Sequence, residues 1–159
     1  MHTFFNLKIK ETNDCMRQEL KTHVEPFLWA QGWEGKKSLF KRVRNGQYQT
    51  IEFQFNKWGG SFAVRLSIVE PMENFDSANS KSIRSIRSQR LGSRNKRISK
   101  MRNMDHWFKF MLGILLYIPA YKYAASELMK VYQVQAELTF ADMQESINIG
   151  VACIHLEKI

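Results

Sequence analysis

The sequence predicts an α+β fold: one antiparallel sheet, a meander of three or more strands, with helices packed on one face. Three observations lead there. An amphipathic helical repeat comes early, three consecutive segments then alternate apolar and polar residues between turn signals, and helical spacing returns in the last third. Strand–helix–strand alternation is missing, which argues against a doubly wound parallel sheet. The 159 residues, 44% of them apolar, suit a single domain spanning 1–159 that buries a core without disulfides or metal.

The first helix is read from Met16, Leu20, Val24, Phe27 and Leu28, which fall on one helical face, with Asn13 or Asp14 as its cap. Pro26 lacks a donor and collides with the preceding turn, so it should kink or restart this helix. Gly32 is a natural stop. Next, Leu39 to Arg44, Asn45-Gly46 and Gln47 to Phe55 read as a hairpin with a type I′ turn, whose two central residues need positive φ. Ile51, Phe53 and Phe55 alternate with Glu52, Gln54 and Asn56. Gly59-Gly60 turns the chain again, and Phe62, Val64, Leu66 and Ile68 alternate with Ala63, Arg65, Ser67 and Val69.

Beyond this meander, Gln89 to Leu91 suits a short strand. Trp107 to Ile118 is apolar on both parities, as a fourth strand buried on both sides would be, with a core helix as the alternative. Pro119 is expected to open a helix bearing Tyr121, Ala124, Ala125, Leu128 and Tyr132. Thr139 is expected to cap a last helix through Phe140, Met143 and Ile147. Gly150 either ends that helix or is tolerated in it, and Val151 to Leu156 fits either state.

The charge is concentrated. Residues 81–104 hold nine of the 24 bases and no acid, while the remaining fifteen bases balance the fifteen acids, so the net +9 resides in this window. It contains Lys81, Arg84, Arg87, Arg90, Arg94, Lys96, Arg97, Lys100 and Arg102. Few core-forming residues accompany them, so a mobile basic insertion is expected at about 71–104. Clustered cations repel one another unless an anion is near. Phosphate is the chemistry that fits, and six arginines against three lysines suit bidentate contact with it. A solvated surface is the competing explanation.

Catalytic patterns are wanting. His2, His23, His106 and His155 have no metal-ligand spacing with one another, with cysteine or with carboxylates, and Asp105-His106 would point to opposite faces of a strand. No Gly-x-Ser-x-Gly elbow occurs, and Lys57 to Ser61 joins strands where a phosphate loop opens a helix. Cys15 is expected in the first helical turn, and Cys153 among apolar neighbours. No metal, cofactor or catalytic residue is therefore assigned. The longest apolar run, Phe110 to Tyr121, is 12 residues, against about 20 for a membrane span. With no secretory leader pattern at Met1 to Lys10 and two cysteines, a cytoplasmic setting without membrane is expected.

Gln31-Gly32-Trp33, the Lys36 to Arg44 strand with Phe40 and Arg42, the Ile51 to Phe55 strand with Gln54, Phe62 to Ile68, Arg90-Leu91-Gly92 and Asp105-His106-Trp107-Phe108 follow in order. Together they resemble the uncharacterised bacterial family called domain of unknown function 4304, over roughly residues 12 to 110. The resemblance implies an α+β domain of this size and no established activity, cofactor or catalytic residue.

Three functions compete. The leading one is a non-enzymatic binding or interaction domain that meets a protein partner, with the basic loop as contact element. The second is a nucleic-acid or other polyanion binder through 81–104, contacting its ligand with Arg84, Arg87, Arg90, Arg94, Lys96, Arg97, Lys100 and Arg102. The third is an enzyme whose site lies on the polar sheet face, from Glu52, Gln54, Arg65 and His106.

Overall fold

Helix α1 (His2–Glu19) opens the fold in a computed structural model that describes residues 2–75, 83–92, 106–112 and 118–156. It runs through Asn13 and Asp14, so neither caps it, and Cys15 is exposed in its interior and not in its first turn. No glycine or proline interrupts the chain before Pro26, and Asn13 and Asp14 cost a helix interior at most about 0.7 kcal/mol each. The restart expected at Pro26 does occur. A π-helical turn (Leu20–Val24) widens the backbone, with the Glu25 N–H bonding to the Leu20 carbonyl five residues back. Helix α2 (Glu25–Ala30) then begins with Pro26 in its first turn, where a missing N–H breaks nothing. Met16, Leu20, Val24 and Leu28 are buried along this continuous face.

Gly32 ends the run in the left-handed region at φ +79°. The sheet follows in the order β1 (Glu34–Lys36), β2 (Leu39–Arg44), β3 (Gln47–Phe55), β4 (Ser61–Val69) and β5 (Ser85–Arg90), all antiparallel. The β2–β3 hairpin is the one read from sequence, with Asn45 at φ +52° and Gly46 at +73°. Strand β1 has three exposed residues and no alternation to announce it. Strand β5 starts earlier than expected. It carries a bulge, since Ile68 faces Arg87 while Val69 faces Ser85, leaving Ile86 as the extra residue.

The stretch from Trp107 to Ile118 is not one strand. Strand β6 (Phe108–Lys109) pairs with Ser61 and Phe62 of β4, on the edge that β5 leaves open, and β7 (Met111–Leu112) pairs with β8 (Ile118–Pro119) in a separate ribbon. Pro119 therefore ends a strand, and α3 (Tyr121–Leu156) starts after it. Thr139 caps nothing: it sits inside α3, its hydroxyl donating to the Gln135 carbonyl one turn back at 2.8 Å. Gly150 is tolerated, and the 36 residues of α3 span about 54 Å at 1.5 Å each.

The two faces of the sheet differ. Ile51, Phe53 and Val64 meet Val24, Phe27, Leu28, Leu128 and Tyr132 from the helices, around an apolar cavity of about 10 Å³, room for a water at most. The other face has no helix across it among the described residues, yet Thr50, Ala63, Ser67 and Val69, which point to it, are buried. At one end Phe75 folds back over it, its ring 5.1 Å from Tyr48 and its carbonyl accepting from Lys41 Nζ at 2.9 Å.

Candidate functional site

On the helix side Arg42 is a buried charge. Arg42 and Gln49 are register partners on β2 and β3. The Arg42 Nε donates to Gln49 Oε1 at 2.7 Å, Nη2 to Glu137 Oε1 of α3 at 2.7 Å, and the guanidinium lies 4.2 Å from the Trp33 ring centre. Arg44 reaches the same Glu137 oxygen at 2.9 Å. Trp33 Nε1 donates to the Tyr132 hydroxyl at 2.6 Å. Burial pushes the Tyr132 phenol above its ordinary value, with the Trp33 hydrogen bond and the Arg42 charge opposing. With the Arg42 side chain only 3% exposed and its donors engaged, this group fastens sheet to helix and leaves no room for a ligand.

The open side is built by parity. Phe108 pairs with Phe62 and both point into the core, so Lys109, paired with Ser61, points the other way. Trp107 shares that parity. Arg65 on β4 and Arg90 on β5 are register partners on the same side, and the Arg90 guanidinium lies 5.6 Å from the Trp107 ring centre. Two cations side by side on adjacent strands repel. Glu52, across from Arg65 on β3, lies 3.5 Å from the Arg65 guanidinium and accepts from Gln54 Nε2 at 2.9 Å. The result is a row of Glu52, Arg65 and Arg90 flanked by Trp107 and Lys109.

Beside this row the basic segment has its roots. Leu91 N–H bonds to the Val64 carbonyl, Gly92 adopts φ +91°, and its missing side chain leaves the space filled by the His106 ring. His106 in turn packs edge-on to Phe108 and lies 3.6 Å from Glu127 of α3. Residues 93 to 105, which lie outside the described residues, carry five bases and one acid.

Of the residues singled out by charge, Arg84, Arg87 and Arg90 are described, whereas Arg94, Lys96, Arg97, Lys100 and Arg102 lie outside the described residues. The three do not converge. Arg84 pairs loosely with Glu70 at 3.7 Å, Arg87 is exposed on the helix side of β5 opposite Ile68, and Arg90 faces the open side. Glu52, Gln54 and Arg65 do come together, but His106 turns to α3. Sequence reasoning set Trp107 aside as core. The signal that separates it from Phe108 was its neighbour parity, legible only once Phe62 and Phe108 are known to pair. Contrary to the spacing read from sequence, His23 does have a carboxylate one turn away, Glu19 at 3.2 Å, but the described residues contain no group of three or more His, Cys, Asp or Glu arranged to hold a metal ion, and no helix among them is long and apolar enough to cross a membrane.

A family model, a domain of unknown function (DUF4304), matches residues 7–111, well over half of the chain. The protein belongs to this family. Comparison with curated proteins and with solved structures finds no match.

Proposed function

We propose that this protein is a non-enzymatic binding domain whose contact element is the basic segment 81–104 together with the open sheet face, and that its ligand is a polyanion. One observation supports the reading: Arg90, inside the basic segment, is the register partner of Arg65 on the adjacent strand, so two bases stand side by side near the sheet edge. Like charges so arranged favour an anion. Enzyme chemistry on the sheet face has less support, because His106, one of the four residues it needs, is drawn to Glu127 of α3 on the far side. A protein partner remains the reading to adopt if polyanions fail, and a cytoplasmic setting goes with either.

The test is fluorescence-polarisation binding to short RNA and duplex DNA at about 50 and 200 mM salt, the range in which phosphate contacts reveal themselves. The intact chain is compared with a variant carrying Arg84, Arg87, Arg94, Arg97 and Lys100 changed to Ser. Binding that falls steeply with salt and is lost in the variant is the expected result. No binding by the intact chain sends the search to acidic protein partners.

A further inference from the structure

We infer that α3 pairs antiparallel with the same helix of a second copy, so that the protein forms a weak twofold dimer. This goes beyond the polyanion reading and stands independently of it. The first argument concerns the arc of α3 that faces away from the core. Ala124, Leu128, Tyr132, Ala136, Phe140 and Met143 are buried along one side of the helix. The side opposite a buried stripe is ordinarily polar. Here it carries Tyr123, Val134, Leu138 and Ile149, all 54–68% exposed and gathered within about 80° of arc at 3.6 residues per turn. They are half of the eight large apolar side chains exposed among the described residues. Scattered singly, such residues need no explanation, whereas a row of them on one helix marks a contact surface.

The second argument identifies the occupant. Lys130, Val134, Glu137, Leu138, Ala141 and Glu145 lie on or beside this arc, and their spacing reads the same in both directions about a point between 137 and 138. An antiparallel copy crossing at that point sets Lys130 beside the partner's Glu145, and symmetry repeats the pair at the other end. Between the two pairs Val134 meets the partner's Ala141, a large side chain against a small one, and Leu138 meets its own counterpart beside the axis. Lys130 and Glu145 are both exposed, and neither has an ion partner of its own among the described residues. Glu137 also lies by the axis, but Arg42 and Arg44 already meet its charge, which offsets the repulsion of two facing carboxylates. A parallel copy would instead oppose lysine to lysine and glutamate to glutamate. The charge pattern thus selects a second copy, antiparallel, over an arbitrary apolar partner. The contact covers about four helical turns, short for a dimer, so association in the micromolar range is expected.

The experiment follows the mass of the full chain by sedimentation equilibrium, from micromolar to near-millimolar concentration at physiological salt. The mass should rise from the 18.8 kDa of one chain towards twice that value. Lys130→Glu should weaken the dimer about tenfold or more, because symmetry counts each reversed pair twice. Glu145→Lys should do the same. The double variant, Lys130→Glu with Glu145→Lys, restores both pairs with their signs exchanged and should dimerise like the parent. Leu138→Lys sets two ammoniums beside the axis and should leave a monomer. All three positions are exposed, and thermal melting checks that the variants fold. A parent that keeps the monomer mass throughout overturns the inference. So does a dimer that Leu138→Lys leaves intact, or one whose single charge reversals either change nothing or are not rescued by the double variant.

Discussion

Gly92 and His106 occupy adjoining space so closely that a Cβ on Gly92 would sit 2.6 Å from the imidazole Cγ. The contact unites two runs that look unrelated in the sequence. Arg90-Leu91-Gly92 and His106-Trp107-Phe108 meet there: Arg90 over Trp107, Gly92 on His106, Leu91 and Phe108 in the core.

Gly92→Ala should therefore be destabilising twice over, through its φ of +91° and through the collision with His106. A loss of about 2 kcal/mol or more is expected by chemical denaturation. His106→Gly in the same chain should recover the steric part and not the conformational part, so the double-mutant cycle should show a coupling of about 1 kcal/mol. Strict additivity would mean that the ring yields freely.

Arg42 and Arg44 touch the same Glu137 oxygen, yet their removal should differ sharply. Arg42→Ala strips Gln49 and Glu137 of a buried partner and takes the packing off Trp33, a loss of about 3 kcal/mol. Arg44 is half exposed, and Arg44→Ala should cost about 0.5 kcal/mol or less. Urea titration of both variants measures the contrast, and equal losses would contradict it.

Tyr132 sets an alkaline limit. Its folded phenol titrates above the ordinary 10.0 because burial disfavours the phenolate. The folded state keeps its proton where the unfolded state has released it, so this contribution to stability is whole below pH 10 and is lost as pH rises through the folded value. Tyr132→Phe should lower stability at neutral pH by about 1–2 kcal/mol, since it orphans the Trp33 N–H. It should also flatten the decline above pH 10. A variant that declines as steeply as the parent would assign the limit to another group.

Glu52 tempers the open face by pairing with Arg65 at 3.5 Å, both side chains being partly exposed. Glu52→Gln should change stability by no more than about 0.5 kcal/mol. Polyanion affinity should rise by about two- to threefold at low salt and converge with the parent as salt screens the difference. Unchanged affinity would mean that Arg65 takes no part in binding.

How much of this was legible beforehand depended on the kind of signal. The β2–β3 hairpin was readable to the residue because Asn45-Gly46 dictates a turn and strict alternation dictates a register. Pro26 was readable as a break but not as a π turn, since the sequence does not say how the backbone absorbs a missing donor. The start of α1 was obscured because Asn13 and Asp14 look like caps and are tolerated inside a helix. Phe110 to Pro119 misled because an apolar run carries no period, and short pieces of it serve different partners. At the site, charge density pointed to Arg90. The aromatic beside it needed the pairing of β6 with β4, a contact some 45 residues apart in sequence that no local pattern encodes.

Strand β5 closes the sheet path, and its arginines recur every third residue while a strand alternates every second. Arg87 therefore emerges on one side of the edge and Arg90 on the other. Charge wraps the border of the sheet instead of coating a single side. Two such borders brought alongside each other would oppose guanidinium to guanidinium above and below the plane, a repulsion that discourages one copy from extending the sheet of the next. The same spacing that is wasteful for a flat contact thus puts like charge on both sides of that border.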